Sequence, residues 1–314
     1  MSSKVVAFVA PLGTEEAVVA APMLAAARAA AAAAGRQHGV SVGVVAFDDG
    51  RDPVRAASIV GRLGCDPCVV GVIGPKNSGS ARAAAPRARA AGLPMVLPAA
   101  TADDLCALGD GSVFRLCARD RDTAAACAEL CVRLGVGRLA VRADETDYGR
   151  GLARAVRAAA RAARVEVTSA IHDADALFHA MGEVEQAAAI RDAREGGFTG
   201  VLLGAEGGPG APLAGMAGPA GEGAWQLYPG AAVPDAADVY GPESADAATA
   251  LVAALALAGD RAGMSEALRA ASFRGRSGTV AFTPGGERSG AAVSVWRLLD
   301  GRCVPAEAES RLPA

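Results

Sequence analysis

The first half of the chain alternates between short apolar runs and longer alanine-rich segments. The apolar runs predict strands at residues 5–9, 40–47, 68–73, 94–97, 113–116 and 138–142. The segments between them are rich in alanine, the best helix former, and predict helices at residues 23–34, 52–63, 81–91, 102–108, 122–134 and 150–164. A repeated strand–helix order indicates a parallel sheet flanked by helices.

The second half of the chain is less regular. Apolar runs predict strands at residues 165–171, 176–180 and 200–203, and helical composition predicts helices at residues 183–194, 245–257 and 264–271. Residues 207–223 are rich in glycine, proline and alanine and indicate a loop. We expect a terminal hairpin of strands 279–282 and 292–298, with Gly285 and Gly286 as its turn.

Composition sets limits on the class of protein. The chain has 314 residues, enough for two domains or one large one, and 52% of them are hydrophobic, so it can bury a sizeable core. Its net charge is −3, and lysine occurs only at Lys4 and Lys76. This balance lacks the basic footprint of a nucleic-acid-binding protein. The seven cysteines are an odd number, which favours reduced thiols.

The length of the apolar runs and the first residues of the chain bear on its cellular location. No apolar run reaches the ~18 residues of a membrane span, so we expect none. The first residues lead directly into a strand, without a basic region, an apolar region and a cleavage site. The chain as written is therefore predicted to be cytoplasmic, whereas a leader upstream of it would make the protein extracytoplasmic.

Two small polar loops carry the candidate chemistry. Residues 74–79, Gly-Pro-Lys-Asn-Ser-Gly, and residues 97–101, Leu-Pro-Ala-Ala-Thr, each close an apolar run. In an open parallel sheet, loops at the carboxyl ends of strands line the ligand crevice. Hydroxyl groups and exposed backbone N–H groups suit the capture of a carboxylate. Ser78 and Thr101 are also suitable N-caps, and the two roles are compatible.

Signals for catalysis or metal binding are weak. Cys65 and Cys68 have redox spacing, but they follow a helix instead of opening one, as a redox pair requires. The three histidines lack zinc spacing, and the serine-hydrolase, phosphate-loop and dinucleotide-binding motifs are absent from the sequence. We therefore expect no enzyme, no metal and no cofactor. A hydrolase that uses Ser78 or Cys106 is the enzymatic alternative, although no histidine can be assigned to either.

Five motifs in order carry a family resemblance. The two loops are followed by residues 147–153, Asp-Tyr-Gly-Arg-Gly-Leu-Ala, by Asp246-Ala247, and by residues 278–286. Together they resemble the type I solute-binding proteins of ABC importers, in the branched-chain amino acid (Leu/Ile/Val) class, over nearly the whole chain. The resemblance implies an α/β protein of two Rossmann-like lobes with parallel sheets flanked by helices, joined by a multi-strand hinge.

The resemblance also implies lobe boundaries and a ligand site. Lobe I is expected at residues 1–118 and about 236–284, and a reduced lobe II at residues 119–235 and about 285–314. The implied ligand-binding residues, carried over position by position, are Ser78, Ala99, Ala100 and Thr101 for an α-carboxylate and part of the amine, Tyr148 as a cover from lobe II, and Glu206 for the α-ammonium. Where the family often has pocket aromatics, this chain has Val18, Gly182 and Ala245.

These expectations define a function and its alternatives. The leading interpretation is a non-catalytic binding protein of an ABC transport system, whose lobes close over an amino acid or a related carboxylate or amide. Its partner is then an ABC permease. The first alternative is a cytoplasmic sensor that passes lobe closure to a regulatory protein. The second is a degenerate family member that acts as an interaction module, with residues 207–223 as its docking surface.

Overall fold

The computed structural model describes residues 4–208, 210–233, 236 and 238–306, and the chain divides into two compact units. Unit 1 comprises Met1–Cys117 and Tyr240–Ala291, and unit 2 comprises Ala118–Val239 and Ala292–Ala314. The chain thus passes between the units three times. The predicted lobes divide the chain at 118, about 235 and about 284.

The secondary structure follows the chain in three stretches. Residues 4–117 form β1 (Lys4–Ala10), α1 (Ala17–His38), β2 (Val42–Asp48), α2 (Pro53–Cys65), β3 (Val69–Ile73), α3 (Ser78–Ala90), β4 (Met95–Leu97), α4 (Leu105–Gly109) and β5 (Val113–Arg115). Residues 118–239 form α5 (Asp120–Arg133), β6 (Arg138–Ala143), α6 (Asp147–Ala162), β7 (Glu166–Thr168), β8 (Ala176–Ala180), α7 (Glu183–Glu195), β9 (Val201–Ala205), α8 (Leu213–Ala217) and β10 (Trp225–Tyr228), with short 3₁₀ helices at Ile171–Asp173 and Gly218–Gly221. Residues 240–306 form α9 (Gly241–Ala258), α10 (Met264–Ala270), β11 (Ser272–Gly275), β12 (Gly278–Ala281), β13 (Ser294–Leu299) and β14 (Arg302–Pro305).

Unit 1 is built on a parallel sheet with the strand order β2-β1-β3-β4-β5. Every residue of β3 is buried, as expected for a parallel strand that is covered on both faces. Helices α2 and α3 pack on one face through Ile59, Val60 and Ala84. Helix α9 covers the other face, where Leu251 would touch any Cβ added at Gly71. The predicted α/β class is confirmed.

Helix α1 corrects the expectation that no segment resembles a membrane span. It has 22 residues, and an 18-residue stretch of it has a mean hydropathy of 1.6, so by length and composition alone it could cross a membrane. It begins six residues before the predicted helix 23–34 because it accommodates Pro22 near its amino end. In the structure α1 packs against α9, with Met23 and Ala27 among its buried residues. These contacts make it part of the core of unit 1.

Unit 2 is built on a seven-stranded sheet in the order β14-β13-β10-β9-β8-β6-β7. The strands from β10 to β7 are parallel, and β13 and β14 extend the sheet in antiparallel fashion. One apolar cluster includes Cys127, Leu152 and Phe178, and a second includes Leu177 and Ile190. Both faces of the sheet are therefore covered by helices, α5 and α6 on one and α7 and α8 on the other.

The predicted terminal hairpin is wrong. Strand β12 pairs with β11, and β13 pairs with β14 and β10, so the two predicted strands belong to different hairpins. The turn of the second hairpin is at Asp300 and Gly301, whose φ values of 50° and 70° are the positive values of a tight hairpin turn. Gly285 and Gly286 do lie in a turn, in which the Gly286 N–H donates to the Thr283 carbonyl at 2.9 Å. This turn closes the antiparallel bridge between Phe282 and Arg288 within unit 1 and does not join β12 to β13.

Candidate ligand site

The loops after β3 and β4 are joined by Ser78. This serine is the first residue of α3, and Asn77, the N-cap, makes no side-chain cap hydrogen bond. The Ser78 side chain is 2% exposed, and its Oγ accepts the backbone N–H of Ala102 at 3.3 Å. Because the oxygen serves as an acceptor within the protein, the hydroxyl proton can be donated to a ligand.

The loop after β4 holds buried donors that the chain does not use. Thr101 is 2% exposed, and its Oγ1 makes no hydrogen bond to the described residues. The backbone N–H groups of Ala99, Ala100 and Thr101 donate no hydrogen bond within the part of the chain that the structure describes. Buried polar groups are nearly always paired, so this loop is ready to receive an acceptor from outside the chain.

Tyr148 and Glu206 come together in unit 2. Tyr148 lies in the first turn of α6, which begins three residues before the predicted helix because Thr146 Oγ1 caps it by accepting the N–H of Gly149 at 2.9 Å. Glu206 directly follows β9, is buried, and has a φ of +78°. The Glu206 carboxylate lies close enough to the Tyr148 phenol to raise the pKa of the phenol.

The surroundings of Tyr148 are acidic. Burial raises the pKa of the Tyr148 phenol well above its usual range, and the negative charges of Glu206 and Asp120 raise it further. Asp144 acts in the same direction, and its Oδ1 accepts the N–H of Thr146 at 3.0 Å. The phenol therefore stays protonated, and this part of unit 2 carries negative charge that suits a cation. Asp120 and Asp144 were missed by the sequence reasoning, although Asp144 directly follows a strand.

A second polar group in unit 1 was also missed. The Glu16 carboxylate, which is buried, accepts hydrogen bonds from Lys76 Nζ at 2.9 Å and from Asn77 Nδ2 at 3.1 Å, and it forms an ion pair with Arg51 Nε at 3.0 Å. Burial acts to raise the pKa of Glu16, but the charges of Lys76 and Arg51 outweigh it and hold the pKa below its ordinary value. We call these four residues the charged cluster. Its members are too far apart in sequence for a motif to reveal it.

The positions that correspond to the pocket aromatics of the family lie in different settings. Val18 is 47% exposed on α1, Ala245 is buried in α9, and Gly182 is the N-cap of α7. None of these three residues brings an aromatic ring to its unit.

The described cysteines and acidic residues form neither a disulfide nor a metal-binding group. None of the seven cysteines, all of which the structure describes, is in a disulfide. Cys127 and Cys131, four residues apart in α5, lie in the apolar core of unit 2, where free cysteine packs as a small hydrophobic residue. Among the described residues, no group of three or more His, Cys, Asp or Glu side chains could hold a metal ion.

Comparison with known proteins identifies relatives. A family model described as Periplasmic binding protein matches residues 5–221. The Leu/Ile/Val-binding protein of Citrobacter freundii is 33% identical over 125 residues, which are 40% of this chain and 34% of that protein. The aligned segment thus spans about a third of the length of this curated relative.

Solved structures show the same fold over nearly the whole chain. The leucine binding protein LivK of Thermotoga maritima has a TM-score of 0.82 and 24% identity, with 97% of this chain and 99% of that chain covered. A solute binding protein of R. palustris in complex with benzoate has a TM-score of 0.84 and 19% identity, with 97% and 95% covered. The expected type I periplasmic binding protein fold is confirmed.

Proposed function

Because this chain belongs to the periplasmic binding protein family, we propose that it is a non-catalytic binding protein of an ABC transport system whose ligand is an amino acid or an amino-acid-like compound. Its matched relatives are named as binding proteins and not as enzymes, which favours binding without turnover. The permease that receives the ligand is part of the proposal. The ligand-binding residues that we propose are Ser78, Ala99, Ala100, Thr101, Tyr148 and Glu206.

The observation that carries the proposal is the set of unused donors in unit 1. Thr101 Oγ1 and the backbone N–H groups of residues 99–101 are buried and make no hydrogen bond among the described residues. A ligand carboxylate would accept hydrogen bonds from these groups and from the Ser78 hydroxyl. Such charge-assisted hydrogen bonds stabilise an anion without a cationic side chain beside it.

Unit 2 offers complementary chemistry. The Glu206 carboxylate, with the charges of Asp120 and Asp144 nearby, would stabilise an ammonium group. Tyr148 remains neutral beside Glu206, so it does not cancel the charge of the carboxylate. A zwitterionic amino acid carries one group for each of these two chemistries, whereas a simple monocarboxylate uses only the donors of unit 1.

The test is a binding panel on the purified protein. We expect one or more of the twenty amino acids to raise the melting temperature, because ligand at 100 times its Kd adds about 2.7 kcal/mol to the free energy of unfolding. Small amides, keto acids and benzoate complete the panel. Calorimetry then gives the Kd of the strongest ligand.

Variants connect the binding to the proposed residues. Thr101→Val keeps the shape of the side chain and removes the hydroxyl, so it is expected to raise Kd about 5- to 100-fold. Glu206→Gln is expected to raise Kd for amino acids more than for benzoate, which has no ammonium group. The matched control is Thr123→Val, another buried threonine, located in α5, which should leave Kd unchanged. A folded protein that binds nothing in the panel would exclude this ligand class.

A further inference from the structure

If the proposed function holds, unit 1 also contains residues that can select the side chain of the ligand. We propose that the charged cluster of Glu16, Arg51, Lys76 and Asn77 selects an amino acid with a polar, hydrogen-bonding side chain, such as the amide of glutamine or asparagine. By the same contacts it disfavours the branched aliphatic side chains of leucine, isoleucine and valine.

The charged cluster lies at the carboxyl ends of two neighbouring strands in the sheet of unit 1. Strand β1 lies between β2 and β3, so the chain turns to one side of β1 first and crosses to the other side afterwards. The carboxyl ends of β1 and β3 therefore flank a topological switch point, where open α/β sheets bind their ligands. Glu16 lies after β1, and Lys76 and Asn77 lie after β3, so their contacts connect the two strands at this point.

The charged cluster adjoins the proposed carboxylate donors of unit 1. Asn77 is the residue directly before Ser78 and is the N-cap of α3. Its Nδ2 donates to Glu16, while its Oδ1 is buried and makes no hydrogen bond to the described residues. In an amino acid the side chain begins one bond from the carbon that carries the carboxylate. The side chain of an amino acid whose carboxylate is held at Ser78 therefore starts close to the cluster, where an amide N–H within reach can pair with Asn77 Oδ1.

The burial of the charged cluster makes contact with an aliphatic side chain unfavourable. The side chains of Lys76 and Glu16 are 8% and 5% exposed, so water reaches them poorly. An aliphatic side chain packed against them leaves Asn77 Oδ1 without a donor. A polar side chain can supply that donor. Sites built for hydrogen bonding reject analogues that lack the polar group, because their own buried polar atoms are then left unpaired.

The experiment compares affinities within one protein. Calorimetry measures Kd for glutamine, asparagine and serine and for leucine, isoleucine and valine. We expect the strongest polar ligand to bind at least about tenfold more tightly than the strongest aliphatic one. The ratio of the two Kd values is the readout, because a cluster that only holds the fold together would alter stability without altering this ratio.

Variants test whether the cluster sets the ratio. Glu16→Gln with Lys76→Met removes both charges at similar volume, so that neither is left buried alone, and it should reduce the ratio about tenfold. Asn77→Leu keeps the three charged residues but removes the unpaired acceptor and the hydrogen bond from Nδ2 to Glu16, and it should shift the ratio in the same direction. The matched control is Arg89→Leu, which breaks an exposed ion pair with Asp110 near the other end of α3 and should leave the ratio unchanged.

The outcomes separate this inference from the proposed function. If leucine, isoleucine or valine binds as tightly as the best polar amino acid, the inference is overturned and the proposed function stands. An unchanged ratio in the folded Asn77→Leu variant also overturns the inference, even if the double variant does not fold. If the wild-type protein binds no amino acid at all, the proposed function fails and the inference fails with it.

Discussion

His179 allows a quantitative prediction about unit 2. The residue lies in β8 with 0% exposure, and neither ring nitrogen meets the geometry of a hydrogen bond with the described residues. Burial lowers the pKa of His179 from 6.5 to about 4. At pH values between about 4 and 6.5, the unfolded chain therefore binds a proton on His179 that the folded chain does not bind. The free energy of unfolding must fall as the pH decreases from about 6.5 towards 4.

The size of the effect follows from the two pKa values. One pKa unit corresponds to about 1.36 kcal/mol, so the full difference between 6.5 and about 4 amounts to about 3 kcal/mol. Most of it, about 2 kcal/mol, is lost between pH 7 and pH 4.5. In a His179→Leu variant this loss is absent, so its free energy of unfolding should fall by about 2 kcal/mol less over the same interval.

The assay is urea unfolding followed by tryptophan fluorescence. Both tryptophans, Trp225 and Trp296, lie in unit 2, so their signal reports on the unit that contains His179. Titrating carboxylates affect both proteins alike and cancel in the difference. His172→Gln is the matched control, because the side chain of His172 is 83% exposed. If wild-type and His179→Leu curves run parallel from pH 7 to pH 4.5, the buried neutral histidine does not govern the acid sensitivity of unit 2.

Two further predictions concern stability. Asp246→Ala should reduce the free energy of unfolding of unit 1 by about 2–4 kcal/mol in chemical denaturation. The reason is that the Asp246 carboxylate accepts hydrogen bonds from the backbone N–H groups of residues 276 and 277 at 2.7 and 2.9 Å. A loss below about 0.5 kcal/mol would contradict this prediction. Gly149→Ala should lower the free energy of unfolding by about 1–3 kcal/mol, since a Cβ at this position would overlap the Asp144 carboxylate. Gly215→Ala in α8 should be neutral or stabilising, because a Cβ there meets nothing within 4 Å. Equal effects of the two variants in unfolding followed by tryptophan fluorescence would refute the steric explanation.

The hairpins at the end of the chain show where local pattern reasoning succeeds and fails. Strands 279–282 and 292–298 were found near their true positions because alternating and apolar residues mark strands locally. Their partners were wrong because pairing depends on contacts that local composition does not encode. The Asp300-Gly301 pair was a readable signal of the turn, since this dipeptide favours positive φ at both positions.

The sequence by itself determined the α/β class, the order of most strands and helices, and the two loops after β3 and β4. It missed β10, β11 and β14, and the loop that it predicted at residues 207–223 contains α8. Periodicity, helix propensity and short turn signals act over a few residues, so one chain suffices to read them. Only the tertiary structure decided that Glu16 meets Lys76, and that Tyr148 meets Glu206, across about 60 residues of chain in each case. Such contacts form when the sheet brings the carboxyl ends of separate strands together, and no local pattern records which side chains will meet there.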